Sequence, residues 1–248
     1  MFRTICKKTE KIINLSWVES SCSGSGGIGI TFEKLLDIET NTLAIPDYGE
    51  IEIKTKLINK KTYISLFNAT PDSYLFEIKR IRDNYGYPDS KNPSYKVFNI
   101  SVYADKKIYI GKNLFAKLKI DMIGEKITLL IFDIYGNLVD SDCSWSFEMI
   151  REKVLRKLQY LFLVYGESMV ENNTTYYRYL KYYCYKLKSF DSFIEALRIG
   201  NMRITFKIGV YREGGKRGQI NDHGTSFDIK EDKIHSIYED YKMSDDSI

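Results

Sequence analysis

The chain has 248 residues, of which 44% are hydrophobic and 28% charged, so it is long enough to bury a core and its composition excludes a disordered protein. A net charge of +4 permits a polyanionic partner without requiring one. The four cysteines show no CxxC spacing, which argues against a zinc site and a dense disulfide framework and favours a reducing cytoplasm. No apolar run is long enough to span a membrane, so we expect no membrane association.

The N-terminal part of the chain predicts two helices that lead into an acidic strand. Residues 4–18 have a helical pattern and end in the Ser/Gly run "SSCSGSGGIGI", which predicts a loop. This loop lacks the Gly-Lys-Ser/Thr ending of a nucleotide-binding loop, so it favours close approach of its backbone to a partner molecule or to the following helix. Ile28, Phe32 and Leu35 recur at helical spacing, so "GITFEKLLDI" predicts a short helix that carries Glu33 on its surface.

The central part of the chain predicts mostly strands. "EIEIKTKLIN" and "KTYISLFNAT" form an expected antiparallel hairpin with turn residues Asn59, Lys60 and Lys61. Residues 71–94 are rich in Asp, Asn, Gly and Pro, which indicates a long loop or a helix flanked by loops. Residues 95–143 contain repeated β-branched and aromatic segments, which predict a run of strands.

The C-terminal part alternates helices and strands. Phe147, Ile150 and Val154 predict a helix that becomes a strand near residue 161, and two Tyr-rich strands then flank a turn at Asn172 and Asn173. A short helix in "SFDSFIEALRIG" precedes the strand "MRITFKIGVY", the loop "REGGKRGQINDHG", the strand "TSFDI" and a final helix "EDKIHSIYEDYK". The expected class is α+β, with a mixed sheet flanked by helices.

The segment "PDYGEIEIKTK" carries candidate chemistry. Alternation along a strand puts Glu52 and Lys54 on one face, opposite the isoleucines, while Asp47 approaches from the preceding turn. Two carboxylates, a cation and the carbonyl of Ile53 supply what metal-dependent phosphodiester cleavage needs: hard oxygen ligands for Mg²⁺ and a positive charge near the attacking water. The residues alone also fit a solvated amphipathic strand.

A second candidate surface lies in "YREGGKRGQINDHGTSF" and the strands beside it. Its basic residues suit phosphate contacts, and its Asn, Asp and His side chains suit hydrogen bonds to base edges. An ordinary basic hairpin loop is the simpler alternative. The candidate DNA-binding residues are Lys207, Tyr211, Arg212, Lys216, Arg217, Asn221, Asp222, His223, Thr225 and Asp228.

Together, "GGIGITFEKLLDI", "PDYGEIEIKTK" and "DHGTSFDI" resemble the MvaI/BcnI family of type II restriction endonucleases, whose fold is related to that of the mismatch-repair nickase MutH. The resemblance covers most of the chain, from about residue 26 to about residue 238. It implies a PD-(D/E)XK nuclease that binds Mg²⁺ and cleaves double-stranded DNA. Glu33, Asp47, Glu52 and Lys54 match the catalytic set of that family, with Asp47, Glu52 and Ile53 at the metal and Glu33 in a supporting or second-metal role. Related members tend to have a histidine and a basic residue where this chain has Asn221 and Asp228, which bears on the target sequence.

The resemblance also implies an organisation and a biological role. We expect one restriction endonuclease unit over residues 1–248, with a catalytic lobe over about 1–150 and a DNA-recognition lobe over about 151–248 forming a cleft for DNA. It implies a monomer, a target of the CC-N-GG kind and a cognate DNA methyltransferase in the same system. A strand-nicking repair endonuclease like MutH and a catalytically dead DNA-binding homologue are the alternatives; a small-molecule enzyme is disfavoured by the scarcity of histidine and the absence of a nucleotide motif.

Overall fold

A computed structural model describes residues 2–24, 26–38, 45–58, 63–72 and 74–241. Its helices are α1 (Phe2–Ile13), α2 (Gly27–Leu35), α3 (Tyr74–Tyr85), α4 (Phe147–Lys157), α5 (Phe190–Arg198) and the 3₁₀ helix η1 (Glu231–Ser236). Its strands are β1 (Val18–Glu19), β2 (Ile51–Leu57), β3 (Tyr63–Asn68), β4 (Tyr87–Pro88), β5 (Lys96–Val102), β6 (Ile108–Ile110), β7 (Leu114–Asp121), β8 (Lys126–Asp133), β9 (Leu138–Asp140), β10 (Ser144–Ser146), β11 (Tyr160–Glu171), β12 (Thr174–Leu187), β13 (Met202–Val210), β14 (Ile220–Asp222), β15 (Ser226–Lys230) and β16 (Tyr238–Asp240). None of the helices in the described residues has the length and hydrophobicity of a transmembrane span.

The chain divides into two compact units, each made from separate stretches of sequence. The first unit contains residues 1–64, 153–189 and 237–248, and the second contains residues 65–152 and 190–236. This division differs from the expected lobes of residues 1–150 and 151–248. Strand pairing explains the difference, because β11 and β12 complete a sheet with β2 and so join the first unit although they lie late in the sequence.

The first unit is built on a mixed sheet with the order β1-β12-β11-β2, and β16 also pairs with β12. β2 runs parallel to β11, whereas the other pairs in this sheet are antiparallel. The β11–β12 hairpin turns at Asn172 and Asn173, which both have positive φ, as two-residue hairpin turns require. Apolar residues of α1 and α2 pack with Ile51 and Ile53 of β2 to form the core of this unit.

The second unit contains two sheets. One has the order β10-β8-β7-β6 with β9 paired to β8, and the other has the order β3-β15-β13-β5-β4 with β14 paired to β13. Every second residue of β13 is buried, from Met202 to Val210, so one face of this strand lies in the core. Phe67, Phe193 and Phe227 stack against one another on that side.

Two local predictions are wrong. β2 and β3 do not form a hairpin, because β2 pairs with β11 in the first unit and β3 pairs with β15; the expected turn residues 59–61 lie outside the described residues. The expected final helix is η1 followed by β16. Tyr238 is fully buried and pairs with Leu187, so sheet pairing replaces the helix that the local pattern favours.

Candidate active site

The edge of the first sheet positions the predicted catalytic strand. Within the described residues β2 lies at one end of the strand order, with β11 on its other side. The amide of Ile58 donates to Gly166 of β11 at 2.9 Å. Backbone groups alternate in direction along a strand, so those of Ile51 and Ile53 point away from β11, toward the open edge.

A tight turn brings Asp47 to that open edge. Tyr48 and Ile51 exchange two backbone hydrogen bonds of 3.0 Å each, and Gly49 between them has a φ of +63°, which a glycine adopts without strain. The amide of Ile53 then donates to Asp47 Oδ2 at 2.9 Å. Because the amide and carbonyl of one strand residue point the same way, the carbonyl of Ile53 also faces the side of Asp47. Asp47 and the carbonyl of Ile53, both predicted metal ligands, therefore lie on the same side of the strand edge.

Glu52 projects from the opposite side of β2 to the isoleucines and is completely buried. Its Oε1 accepts from Lys54 Nζ at 2.5 Å and lies 3.4 Å from Lys157 Nζ, whereas its Oε2 has no hydrogen-bond partner. Burial raises the pKa of the Glu52 carboxyl, Lys54 opposes that rise, and the negative charge of Asp47 adds to it. Burial of Glu52 excludes the simple solvated strand.

Helix α2 brings Glu33 to the same edge. The Tyr179 hydroxyl donates to the carbonyl of Ile28 at 2.8 Å, and a Cβ on Gly27 would lie 2.5 Å from the Tyr177 hydroxyl, so a larger residue at the start of the helix would displace the Tyr177 side chain. The pKa of Glu33 is raised first by burial and then by the charge of Asp47, while Lys54 lowers it.

A groove of about 240 Å³ is lined by these elements, namely Gly26, Ile28, Gly29, Glu33, Ile53, Lys54 and Thr55. Asp47 and Lys54 act electrostatically on both Glu33 and Glu52, so the four predicted catalytic residues are in one place. The structure therefore unites the parts that the sequence placed on a helix, a turn and a strand.

The donors present fit a hard divalent cation. In the described part of the chain no three His, Cys, Asp or Glu side chains converge as a complete metal site. Mg²⁺, however, is usually held by one or two carboxylates and keeps water and substrate phosphate oxygens as its other ligands. Asp47, Glu52 and the carbonyl of Ile53 supply such a partial set, and the buried, partnerless Oε2 of Glu52 is an acceptor that a cation would satisfy.

The sequence did not single out Lys157, which lies beside Glu52 at the end of α4. A lysine in the last turn of a helix is common because it interacts favourably with the helix dipole, so its position in the sequence does not indicate a role at the site. Only the pairing of β11 with β2 shows that this helix ends next to the acidic strand.

The predicted DNA-binding residues of the second unit separate into surface and interior groups. His223, Lys216 and Arg217 are exposed, and Lys207 and Asn221 are half-buried. The amide of His223 donates to the carbonyl of Lys207 at 3.0 Å, which places these two residues side by side at the end of β14. Tyr211 and Asp222 are also half-buried; Lys216 Nζ lies 5.5 Å from the Tyr211 ring, and Asp222 accepts from the amide of Gly224.

Three residues of the predicted DNA-binding set have structural partners or are buried. Arg212 donates to both carboxylate oxygens of the buried Asp89, at 2.9 and 2.7 Å. Asp228 is 4% exposed and accepts from Arg203 and Thr205, and Thr225 is 1% exposed. Asp228 and Thr225 therefore lie in the interior of the second unit and not on the exposed loop surface that their prediction as DNA contacts assumed. Alternation along a strand predicts one exposed face, but β15 is buried on both faces, so Asp228 is not exposed.

The chain matches known proteins over nearly its whole length. The model of the MvaI/BcnI restriction endonuclease family matches residues 6–238. The structure is similar to restriction endonuclease MvaI in complex with its cognate DNA, with 28% identity, 96% coverage of both chains and a TM-score of 0.88. It is also similar to MvaI in the absence of DNA, again with 28% identity, covering 96% of this chain and 95% of that one, with a TM-score of 0.61. No curated protein sequence matches the chain.

Proposed function

The chain belongs to the MvaI/BcnI restriction endonuclease family, and from this premise we propose that it hydrolyses phosphodiester bonds of double-stranded DNA at a short specific site with Mg²⁺ as cofactor. The family and the likeness to MvaI confirm the predicted restriction-endonuclease fold and its class as a DNA-cleaving hydrolase. The observation that carries the proposal for this chain is the arrangement at β2: Asp47 is held on the amide of Ile53 while the buried Glu52 carries Lys54.

Asp47, Glu52 and the carbonyl of Ile53 would hold the metal ion. Asp47 keeps one oxygen on the amide of Ile53, which fixes its direction, and its other oxygen is left for the cation. When bound, Mg²⁺ polarises the scissile phosphate and lowers the pKa of a water molecule beside it. The protein contributes ligands that are already oriented by a strand edge and a tight turn, so little ordering is left for the moment of reaction.

Lys54 supplies the positive charge. In the structure its ammonium group donates to Glu52, and 27% of its side chain is exposed, so it has room to turn. With DNA present, we assign it to the attacking water or to the charge that develops on the phosphate. Glu33, at the edge of the same groove, has the supporting or second-metal role.

The surface residues of the second unit are the proposed DNA-reading set. Lys216 and Arg217 suit phosphates, and Asn221 and His223 suit base edges in the major groove. Arg212 has a different role in our proposal: its paired bond to Asp89 positions the loop that carries the other residues. A target of the CC-N-GG kind is the proposed site.

The biological setting is proposed from the family alone. The enzyme acts as a monomer that nicks the two strands in turn, works in the cytoplasm, and is accompanied by a DNA methyltransferase that protects the same site. Its family role in restriction favours this setting over repair.

Digestion of unmethylated phage DNA with Mg²⁺, followed by sequencing of the fragment ends, tests the proposal. Asp47→Asn removes the charge but keeps an oxygen that can accept from Ile53, so it should abolish cutting without unfolding the turn. Glu50→Gln, three residues away and exposed, is the matched control and should cut like the wild type.

Discrete fragments that vanish with EDTA and with Asp47→Asn would support the proposal, and their ends would give the site. Nicks confined to one strand would replace it with the repair function. DNA binding without any cutting would refute it in favour of a catalytically dead homologue.

A further inference from the structure

Two lysines share one oxygen of the catalytic carboxylate. Lys54 Nζ lies 2.5 Å from Glu52 Oε1 and Lys157 Nζ lies 3.4 Å from the same atom. Lys54 belongs to the sequence motif, but Lys157 comes from a different element. Lys54 alone would neutralise the charge of the Glu52 carboxylate, so the presence of Lys157 as a second cation needs an explanation.

The position of Lys157 is fixed by the sheet. It is the last residue of α4, and β11 begins at Tyr160 after only two intervening residues. β11 pairs in parallel with β2 so that Leu161 lies opposite Glu52. The end of α4 therefore lies beside the start of both strands, and the register fixes the backbone of Lys157 close to Glu52.

Glu52 has no other fixed donor among the described residues. Its Oε2 is buried and has no partner, and the buried hydroxyl of Tyr238, whose pKa is raised by burial and by the charge of Glu52, also has none. When Lys54 turns toward DNA, Oε1 would lose its shorter contact. A buried carboxylate without a hydrogen-bonded cation is costly, and its oxygens then lack the contact that holds their direction.

We propose that Lys157 is a positioning residue, which holds the carboxylate of Glu52 in its ligand orientation while Lys54 acts on the DNA. This inference rests on the proposed function. Lys157 touches neither substrate nor metal in this proposal; it acts through Glu52. Its side chain is 22% exposed, which fits a group that faces the carboxylate and leaves the groove to Lys54.

The test compares Lys157→Met and Lys157→Arg with Lys153→Met, a lysine substitution one turn earlier on the same helix. Single-turnover cleavage is measured at saturating Mg²⁺, and DNA affinity is measured separately with Ca²⁺ in place of Mg²⁺, after checking that the DNA stays uncut. Loss of a group that orients a metal ligand typically costs about 10- to 100-fold in activity. We expect such a fall for Lys157→Met with unchanged DNA affinity, substantial rescue by Lys157→Arg, and wild-type rates for Lys153→Met.

Thermal unfolding in EDTA distinguishes positioning from a purely structural role. A Lys157→Met protein that melts like the wild type but cleaves slowly supports the proposal. A cleavage rate equal to that of the wild type overturns it, as does a loss of DNA affinity that accounts for the whole effect, because Lys157 would then be a phosphate contact. If the wild-type protein itself does not cut DNA, the proposed function fails instead.

Discussion

Replacing Glu52 by Gln should stabilise the metal-free protein and remove its response to Mg²⁺. Glu52 is completely buried, and one of its two oxygens has no partner. Gln keeps a polar group in this place, so the substitution removes only the extra cost of the charge: an unpaired buried polar atom costs roughly 1–3 kcal/mol, and still more when charged. The substitution also weakens the contacts of this position with Lys54 and Lys157, and solvent screening limits that loss because their side chains are 27% and 22% exposed. The balance favours Gln by about 1 kcal/mol, or a melting temperature about 2–4 °C higher for a chain of this size.

The sign of the pH dependence follows from the direction of the pKa shift. The pKa of Glu52 is raised above its ordinary value of 4.5, mainly by burial. The folded protein therefore binds this proton more tightly than the unfolded chain does, and the resulting stability is complete below the unfolded pKa. It is lost as the pH rises through the folded pKa. The advantage of Glu52→Gln over the wild type should accordingly be absent at low pH and grow toward neutral pH.

Thermal unfolding between acidic and neutral pH, in EDTA and in Mg²⁺, measures both effects. At a Mg²⁺ concentration about ten times its Kd, the wild type should gain about 1.4 kcal/mol by mass action, and Glu52→Gln should gain little. Exposed Glu50→Gln serves as the control and should follow the wild type. A Glu52→Gln protein that melts several degrees below the wild type in EDTA at neutral pH would refute the reasoning, because Glu52 would then stabilise the fold.

Two further predictions concern ion pairs of the second unit. Arg80→Met leaves the buried carboxylates of Glu77 and Asp140 without their shared cation. We therefore expect the free energy of unfolding to fall by roughly 3–5 kcal/mol and the melting temperature by on the order of 10 °C. An unchanged melting temperature would contradict this prediction. Asp89→Ala releases Arg212 from its paired bond, and trypsin should then cleave the loop at residues 212–217 several-fold faster than in the wild type, with weaker DNA binding in the same preparation. Equal proteolysis rates would show that Asp89 does not order the loop.

Local elements were predictable from the sequence because their causes are local. The spacing of Ile28 and Phe32 places α2 correctly, and the tandem asparagines at 172 and 173 mark the β11–β12 hairpin, since asparagine tolerates the positive φ that the turn requires. The acidic strand β2 was also found, because its alternation of charged and apolar residues is a local pattern. Short-range periodicity was enough for these elements.

The partners of those elements were not predictable, because no local pattern records them. The parallel pairing of β2 with β11 joins distant parts of the chain, and the nearest downstream strand offered a hairpin that does not form. The same limit explains why Lys157 was missed and why Arg212, which reads as a DNA contact in sequence, proves to be bound to Asp89. Charged side chains reveal their role only when their neighbours are known.

The parallel β2–β11 pair also explains why the carboxylate of Glu52 can remain buried at this edge despite its desolvation cost. The same strand contributes Ile51 and Ile53 to the core and Glu52 to the site, so the packing of the isoleucines against α1 and α2 fixes the face on which Glu52 projects. A shift of one residue in this register would turn Glu52 into the core and an isoleucine toward the lysines, at a cost in both burial and charge. Core packing therefore specifies the active site, and the buried carboxylate with its one unpaired oxygen is tolerated because the strand that carries it is held by apolar contacts on its other face.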